Sequence, residues 1–362
     1  KKSIIGRAWK KQYRQTLYTI VNPMIDNIQA YVRLLKRLTP QANHLTLDSR
    51  NLREGDVFFA VPGLHRDGRD FLTDAAKRAC ALVYEDDGQR RTFGVPAIAV
   101  PELGKHLGEF AADFYHDPSS KLFTIGITGT NGKTTSSHWM SQLFSLLGQR
   151  CAAIGTIGCF MDGQSYESAP LTTPDALTMQ GLYRKLLRAE AKAVALEASS
   201  IGLEQGRLQG TRFDVAVFTN LTRDHLDYHH DMQAYESAKA ILFDWPGLQH
   251  AVINIDDEAG VRMAERCAHR GIHTIVTSMR GAIALTGTHL LSAENVRPMP
   301  EGMLFDIVYG SERQTVHLSI FGAFNVSNLL GVVGAALCHG FSLAEIVEKL
   351  PLLVAPDGRM QK

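Results

Sequence analysis

The run Gly126-Ile127-Thr128-Gly129-Thr130-Asn131-Gly132-Lys133-Thr134-Thr135 holds the residues of this chain best suited to chemistry. It follows a strand-like stretch, Leu122–Thr128, and opens a helical one, which is the setting a phosphate-binding loop requires. Glycines let backbone N–H groups converge on phosphate oxygens, and a helix N-terminus adds positive potential at the same point. In this reading Gly129, Thr130, Asn131, Gly132 and Thr135 cradle a nucleotide. Lys133 reaches its β- and γ-phosphates, and the Thr134 hydroxyl ligates Mg²⁺. The strict pattern GxxxxGK[ST] wants its first glycine at position 127, where Ile127 stands; the glycines lie at 126 and 129 instead.

Other side chains invite chemistry less directly. Glu197 ends the apolar run Val194-Ala195-Leu196, so a strand would deliver its carboxylate to the edge where open α/β sheets bind ligands. A carboxylate there suits a hard cation, although a capping or solvated glutamate would look the same. Arg207 suits a carboxylate or phosphate, or is a surface arginine of a basic turn. Lys239 has Tyr235 four residues before it and Phe243 four after, a spacing that can turn it inward with them; an ordinary helix lysine would be solvated. A lone His225 in Asp224-His225-Leu226-Asp227 reads as structural, and His229 and His230 as surface residues of the next turn. Asn325 and Asn328 open a long apolar helix, Leu329–Leu337, where an amide can serve as N-cap.

The elements that must position these groups follow from periodicity. After the linker His116-Asp117-Pro118-Ser119-Ser120, strand-like runs at Leu122–Thr128, Ala193–Leu196, Val215–Phe218 and Ala251–Ile255 alternate with helical stretches. The helices lie around 176–189, 231–243 and 257–270, and another follows Lys133 with Met140, Leu143, Phe144 and Leu147 on one face and Gly148 as its cap. This alternation predicts a mostly parallel sheet flanked by helices. Residues 23–117 read as a smaller mixed α/β domain with strands at Val57-Phe58-Phe59-Ala60-Val61 and Ala81-Leu82-Val83-Tyr84. Residues 1–22 hold six basic and no acidic residues and read as a solvated segment.

The chain has 362 residues, 38 basic and 37 acidic, for a net charge of +1. That balance supplies no long-range field for nucleic acid or an anionic membrane. Hydrophobic residues make up 45%, which excludes disorder as the main state, and no apolar run is long enough to span a membrane. Five scattered cysteines without a CxxC pair argue against a disulfide framework or a zinc site. A cytoplasmic monomer is the default expectation.

The spelling GTNGKTT resembles the ATP loop of the Mur ligase superfamily, ATP-dependent amide-forming enzymes of peptidoglycan synthesis. The resemblance extends in order through Asp48-Ser49-Arg50, Gly55-Asp56-Val57-Phe58, Asp67-Gly68-Arg69, Leu171-Thr172-Thr173-Pro174, Glu197-Ala198-Ser199-Ser200 and Gln205-Gly206-Arg207. It continues through Thr219–His229, Tyr235–Lys239 and Gly322–Asn328, covers roughly residues 40–362, and is specific to the MurE branch. It implies that a P-loop ATPase domain, 118–354, follows a domain, 23–117, that holds the UDP end of the substrate.

The implied reaction adds meso-diaminopimelate to UDP-N-acetylmuramoyl-L-alanyl-D-glutamate through an acyl phosphate, with ATP and Mg²⁺. The resemblance places Ser49 and His65 near uridine, and Thr172, Thr173, Ser199, Gln205 and Arg207 around the muramoyl-dipeptide. Thr134 and Glu197 become Mg²⁺ ligands, and His225 helps bind a second Mg²⁺. Lys239 becomes a carbamylated lysine, while Asn325 and Arg359 contact the nucleotide. Ile201 stands where many relatives carry His, and His230 where many carry Gly. Pro356-Asp357-Gly358-Arg359-Met360-Gln361 resembles a hinge into a C-terminal acceptor domain, which would leave the chain one domain short. Three other readings stay open: an L-lysine-adding enzyme, a protein that binds ATP and the UDP-substrate without turnover, and a folylpolyglutamate synthetase-like ligase.

Overall fold

A computed structural model describes residues 27–63, 66–167, 171–281 and 284–355. The basic segment 1–22, His65 and the hinge-like Pro356–Gln361 with Arg359 lie outside the described residues. The chain divides into two compact units, Lys1–Asp117 with Ala176–Leu182, and Pro118–Asp175 with Tyr183–Lys362.

In the first unit, strands β1 (His44–Thr46), β2 (Asp56–Ala60), β3 (Ala81–Glu85) and β4 (Ala97–Val100) form a sheet in that order, with every pair parallel. Successive side chains point to opposite faces and both faces are covered, which explains why the interiors of β2, β3 and β4 are apolar. Val57, Phe59, Val83 and Ile98 pack with α1 (Ile28–Leu38) and, further along the chain, the helix Leu107–Tyr115. Phe58, Ala60, Leu82 and Tyr84 pack on the opposite face around Leu72 of α2 (Leu72–Ala75). The helix Leu107–Tyr115 is α3.

Among the described residues, the second unit is built on one sheet of eleven strands. The strands are β5 (Phe123–Thr128), β6 (Cys151–Gly155), β7 (Gly158–Met161), β8 (Gln164–Glu167), β9 (Ala193–Glu197), β10 (Val215–Phe218), β11 (His250–Asn254), β12 (His273–Ser278), β13 (Thr288–Met299), β14 (Gly302–Tyr309) and β15 (Glu312–Leu318). Their order is β15-β14-β13-β12-β11-β10-β5-β9-β6-β7-β8. From β13 to β6 all neighbours are parallel, and at each end the sheet closes in antiparallel strands. The parallel core matches the expectation. The antiparallel ends do not appear in the sequence reading, because β8 and β15 are largely exposed and polar and give no apolar run.

The helices of this unit are α4 (Lys133–Leu146), α5 (Ala176–Arg188, whose first seven residues belong to the other unit), α6 (Ser200–Glu204), α7 (Leu226–His229), α8 (Met232–Ala240), α9 (Glu258–His269), α10 (Ala323–His339) and α11 (Leu343–Lys349). Helix α4 buries Trp139, Met140, Leu143 and Phe144, and Gly148 ends it with φ +83. Helix α10 is apolar on nearly every face because the core covers it from Val326 to Ala336. Among the described residues, no helix is long and apolar enough to cross a membrane, and the five cysteines are free thiols.

Candidate active site

The phosphate loop leaves β5 at the centre of the sheet, with β9 on one side and β10 on the other. Its shape depends on two glycines. Gly129 has φ +144 and Gly132 φ +86, and a Cβ at either would run into Thr219 Oγ1 or Asn328 Oδ1 respectively. The segment after β10 holds the loop down. The Thr130 N–H donates to Asn220 O at 2.8 Å, the Asn131 N–H to Asn220 Oδ1 at 3.0 Å, and Thr219 Oγ1 to Asn131 O at 2.6 Å. Lys133 is the first residue of α4, and its Nζ folds back to donate to Gly129 O at 2.8 Å and Thr130 O at 2.9 Å. The Thr134 and Thr135 side chains are buried beside it.

Glu197 is the last residue of β9 and is buried. Its Oε1 accepts from the Thr156 N–H at 2.9 Å, and its Oε2 from Thr156 Oγ1 at 3.1 Å. The carboxylate reaches this place only because position 155 carries no side chain: a Cβ on Gly155 would overlap Glu197 Oε1 and lie 2.5 Å from Cδ. Gly155→Ala is therefore expected to displace the Glu197 carboxylate and weaken Mg²⁺-dependent nucleotide binding by about tenfold or more, the order of loss when support behind a metal ligand is removed. Calorimetry of ATP with and without Mg²⁺ measures it, and an unchanged Mg²⁺ effect would remove Glu197 from the metal site.

Lys239 is 1% exposed. Its Nζ donates to Gly129 O at 3.1 Å and lies 4.0 Å from the Tyr235 ring centroid. Burial, reinforced by the Lys133 charge and opposed by Asp224, pushes its pKa down to about 6. The Gly129 carbonyl thus accepts from two lysines, and the buried one is the neutral amine near pH 7.

His225 adopts a left-handed backbone, φ +52, half-exposed, with Nε2 3.6 Å from Asp224 Oδ2. His229, read from the sequence as a surface residue, is buried instead. Its Nε2 lies 2.9 Å from Ser200 Oγ and its Nδ1 3.3 Å from Glu204, because α7 carries it under α6. His230 is exposed as expected, with φ +69, which accounts for glycine suiting that position.

Thr173 Oγ1 donates to Glu197 O at 2.8 Å, lies 2.9 Å from Ser199 Oγ, and accepts from the Ser199 N–H. Thr172 Oγ1 lies 3.1 Å from Thr156 Oγ1. Arg207 donates to Thr173 O at 3.1 Å and, from Nε and Nη2, to Gln205 Oε1. Burial pulls its pKa down against the pull of Asp175 and Tyr228, and its hydrogen bonds run to the neutral Gln205 amide and Thr173 carbonyl.

A cavity of about 460 Å³ collects Thr130, Asn131, Gly132, Lys133, Thr134, Thr172, Thr173, Glu197, Ser199, Arg207, His225 and Lys239. A neighbouring cavity of about 740 Å³ shares Asn131 and Gly132 and adds Thr135, Asp256, Asp257, Arg280, Asn325 and Asn328. Gln205 lines neither cavity and touches the site through Arg207, from which its Oε1 accepts. Asn325 is not an N-cap: α10 begins three residues earlier than its side chain requires, with Gly322 in the cap position, and Asn325 Nδ2 donates to Phe321 O at 2.9 Å. Ser49 lies in the first unit, in the loop after β1, with its carbonyl accepting from Arg78 at 2.6 Å.

These residues fit a magnesium-bound nucleoside triphosphate. Gly129 and Gly132 hold the loop in a turn that leaves no room for a Cβ against Thr219 and Asn328. Lys133 and a helix N-terminus border the cavity, and the buried Thr134 hydroxyl and Glu197 carboxylate are hard oxygen donors. Thr156, Thr219, Asn220 and Tyr235 were given no role by sequence reasoning. The available signal was the order of motifs around Thr219-Asn220, and nothing local marks Thr156.

Family models match residues 127–336 as the Mur ligase middle domain and residues 41–115 as the Mur ligase family, catalytic domain. The UDP-N-acetylmuramoyl-L-alanyl-D-glutamate–2,6-diaminopimelate ligase of Janthinobacterium sp. is 44% identical over 326 residues, 88% of this chain and 64% of the relative. The ligase of the same name from Pseudomonas aeruginosa is 44% identical over 342 residues, 91% of this chain and 68% of the relative. A solved structure of a ligase of that name superposes with a TM-score of 0.73 at 33% identity, covering 88% of this chain and 64% of that one. The chain thus spans about two-thirds of the length of the curated relatives it matches. With the ATP loop, Glu197 and the buried Lys239 in one cavity and both family models matched, the chain belongs to the Mur ligase family, in its MurE branch.

Proposed function

We propose that the protein adds meso-diaminopimelate to UDP-N-acetylmuramoyl-L-alanyl-D-glutamate at the expense of ATP, in cytoplasmic peptidoglycan synthesis. The observation that carries this reading is the convergence of Lys133, Glu197, Lys239 and Arg207 on one cavity. The names of the 44%-identical relatives favour diaminopimelate over L-lysine. When bound, Mg²⁺–ATP supplies the phosphoryl group that turns the D-glutamate γ-carboxyl into an acyl phosphate, a better electrophile than a carboxylate.

The chain's own residues position and neutralise. Lys133 and the α4 N-terminus hold the phosphates. Thr134 and Glu197 are the hard ligands, and Thr156 fixes the Glu197 carboxylate. Arg207, clamped by Gln205 and Thr173, presents its guanidinium to a substrate carboxylate. Lys239, as a neutral amine, can add to CO₂ and lose its extra N–H proton to solvent, becoming a carbamate anion, which with His225 would hold a second cation where an ammonium would repel. Asn325 and Arg359 are proposed nucleotide contacts, and Ser49 and His65 uridine contacts.

The test is calorimetric titration of the chain with Mg²⁺–ATP and with the UDP-dipeptide, followed by ADP release on adding meso-diaminopimelate. Binding of both ligands, with ADP release dependent on the dipeptide, is the expected result. Failure to bind the UDP-dipeptide, or release driven by dihydrofolate instead, would sink the reading.

A further inference from the structure

At the opposite edge of the second sheet from the nucleotide loop, three histidines occupy one face. His250 is the first residue of β11 and His273 the first of β12, and they are direct register partners. His289 on β13 stacks on His273 with ring centroids 4.9 Å apart. Two residues further along each strand, Val252, Ile275 and Leu291 are buried in the cluster that includes α10. Alternation along the strands therefore aims the histidines toward the same helix, just past the rim of the core. There the last turn of α10 supplies Cys338. One ring nitrogen from each of His250 and His273 and the Cys338 Sγ lie within 4.8 Å of one another.

We infer that His250, His273 and Cys338 form a binding site for a borderline-soft divalent cation of the Zn²⁺ class, which clips the start of β11 and β12 to the end of α10. The donor set is two imidazole nitrogens and one sulfur, which selects Zn²⁺ over the Mg²⁺ suited to the oxygen donors of the nucleotide cavity. The spacing fits as well. The two Nδ1 atoms stand 3.4 Å apart, and a tetrahedral ion bonded to each at about 2.0–2.1 Å needs them about 3.3 Å apart. Access is open, since His273 is exposed and His250 and Cys338 are partly so. On binding, the Cys338 S–H proton passes to solvent, the thiolate and two neutral imidazoles take three positions, and water takes the fourth. No electron is transferred. Among the described residues, Asp214, whose carbonyl accepts from the His250 N–H at 3.0 Å, and Tyr309, beside Cys338, also border the cluster.

None of these residues belongs to the catalytic machinery, so the inference stands apart from the proposed ligase activity. It is tested by titrating the 362-residue chain with Co²⁺ in saturating Mg²⁺. The expected result is a thiolate-to-cobalt charge-transfer band with tetrahedral visible bands, saturating at one ion per chain and displaced by Zn²⁺. Cys338→Ser abolishes the charge-transfer band, and His273→Ala, at an exposed position that leaves the fold intact, weakens binding by more than about tenfold. Absence of the band in the unmodified chain overturns the site. So does a band that survives Cys338→Ser, or an affinity unmoved by His273→Ala, which would leave the histidines as a simple hydrogen-bonded pair.

Discussion

Lys239→Ala is expected, on the proposed function, to lower ADP release by about a hundredfold or more, since removing a group proposed to hold a catalytic cation forfeits several kcal/mol of charge stabilisation. Formate or acetate should restore part of the loss by placing a small carboxylate where the carbamate would stand. Full activity in the variant without rescue would remove Lys239 from the mechanism. A stability measurement tests the same residue independently. With the folded pKa near 6 against 10.5 for an ordinary lysine, the unfolded chain binds a proton in that interval that the folded chain does not. Stability therefore rises with pH between those values, and the burial penalty is fully present below pH 6 and gone above 10.5. Lys239→Met removes the penalty, so in CO₂-depleted buffer its melting temperature should exceed that of the unmodified protein most near pH 6. The gap should close as pH approaches 10.5. A gap independent of pH would mean the lysine is not held neutral.

Lys133→Met carries the second large effect. Its ammonium sits in the loop, on the carbonyls of Gly129 and Thr130, ready to exchange them for phosphate oxygens. Removing one preorganised donor to a developing charge typically costs about 10²–10³ in turnover, so ADP release should fall by that order. UDP-dipeptide affinity, measured by calorimetry, should hold. The substitution also removes the like charge that helps keep Lys239 deprotonated, so the pH window of the Lys239 stability effect should narrow at its lower end. Turnover within a few-fold of the unmodified protein would take the lysine out of phosphoryl transfer.

What could be read from the sequence divides along a physical line. Lys133 was legible because a glycine-rich turn between strand and helix marks it locally. Glu197 and Lys239 carry ambiguous local marks, the end of an apolar run and aromatic residues four positions away, and the family resemblance chose between their alternatives. Gly155 and Thr156 were not legible, because their importance arises from β6 pairing with β9, which sets Ile154 beside Leu196 and brings Glu197 against the backbone of Thr156, 41 positions away. His229 looked like surface because a short polar segment carries it, and packing against Ser200, Glu204 and Tyr235 buries it. Asn325 looked like a cap because the apolar run begins after it, whereas α10 starts at Ala323. The antiparallel ends of the large sheet escaped notice because strands solvated on one side need no continuous hydrophobic pattern. The metal-ligating cluster was invisible for a similar reason: its histidines and cysteine come from three elements with no common motif.

The position of β5 at the centre of the sheet has a kinetic consequence. Its pairing partners are distant in the chain: Ile125 pairs with Ala195 and Val215, which lie 70 and 90 positions later. The hairpins that close the sheet at β7–β8 and β13–β15 pair with near neighbours instead. Loop closure disfavours early formation of distant contacts, so the flanks can organise while the centre waits. The phosphate loop takes shape only once β10 and Thr219-Asn220 have docked beside it. During synthesis the chain therefore cannot grip a nucleotide until well past residue 220, and recovery of ATP affinity on refolding reports one of the last steps of assembly.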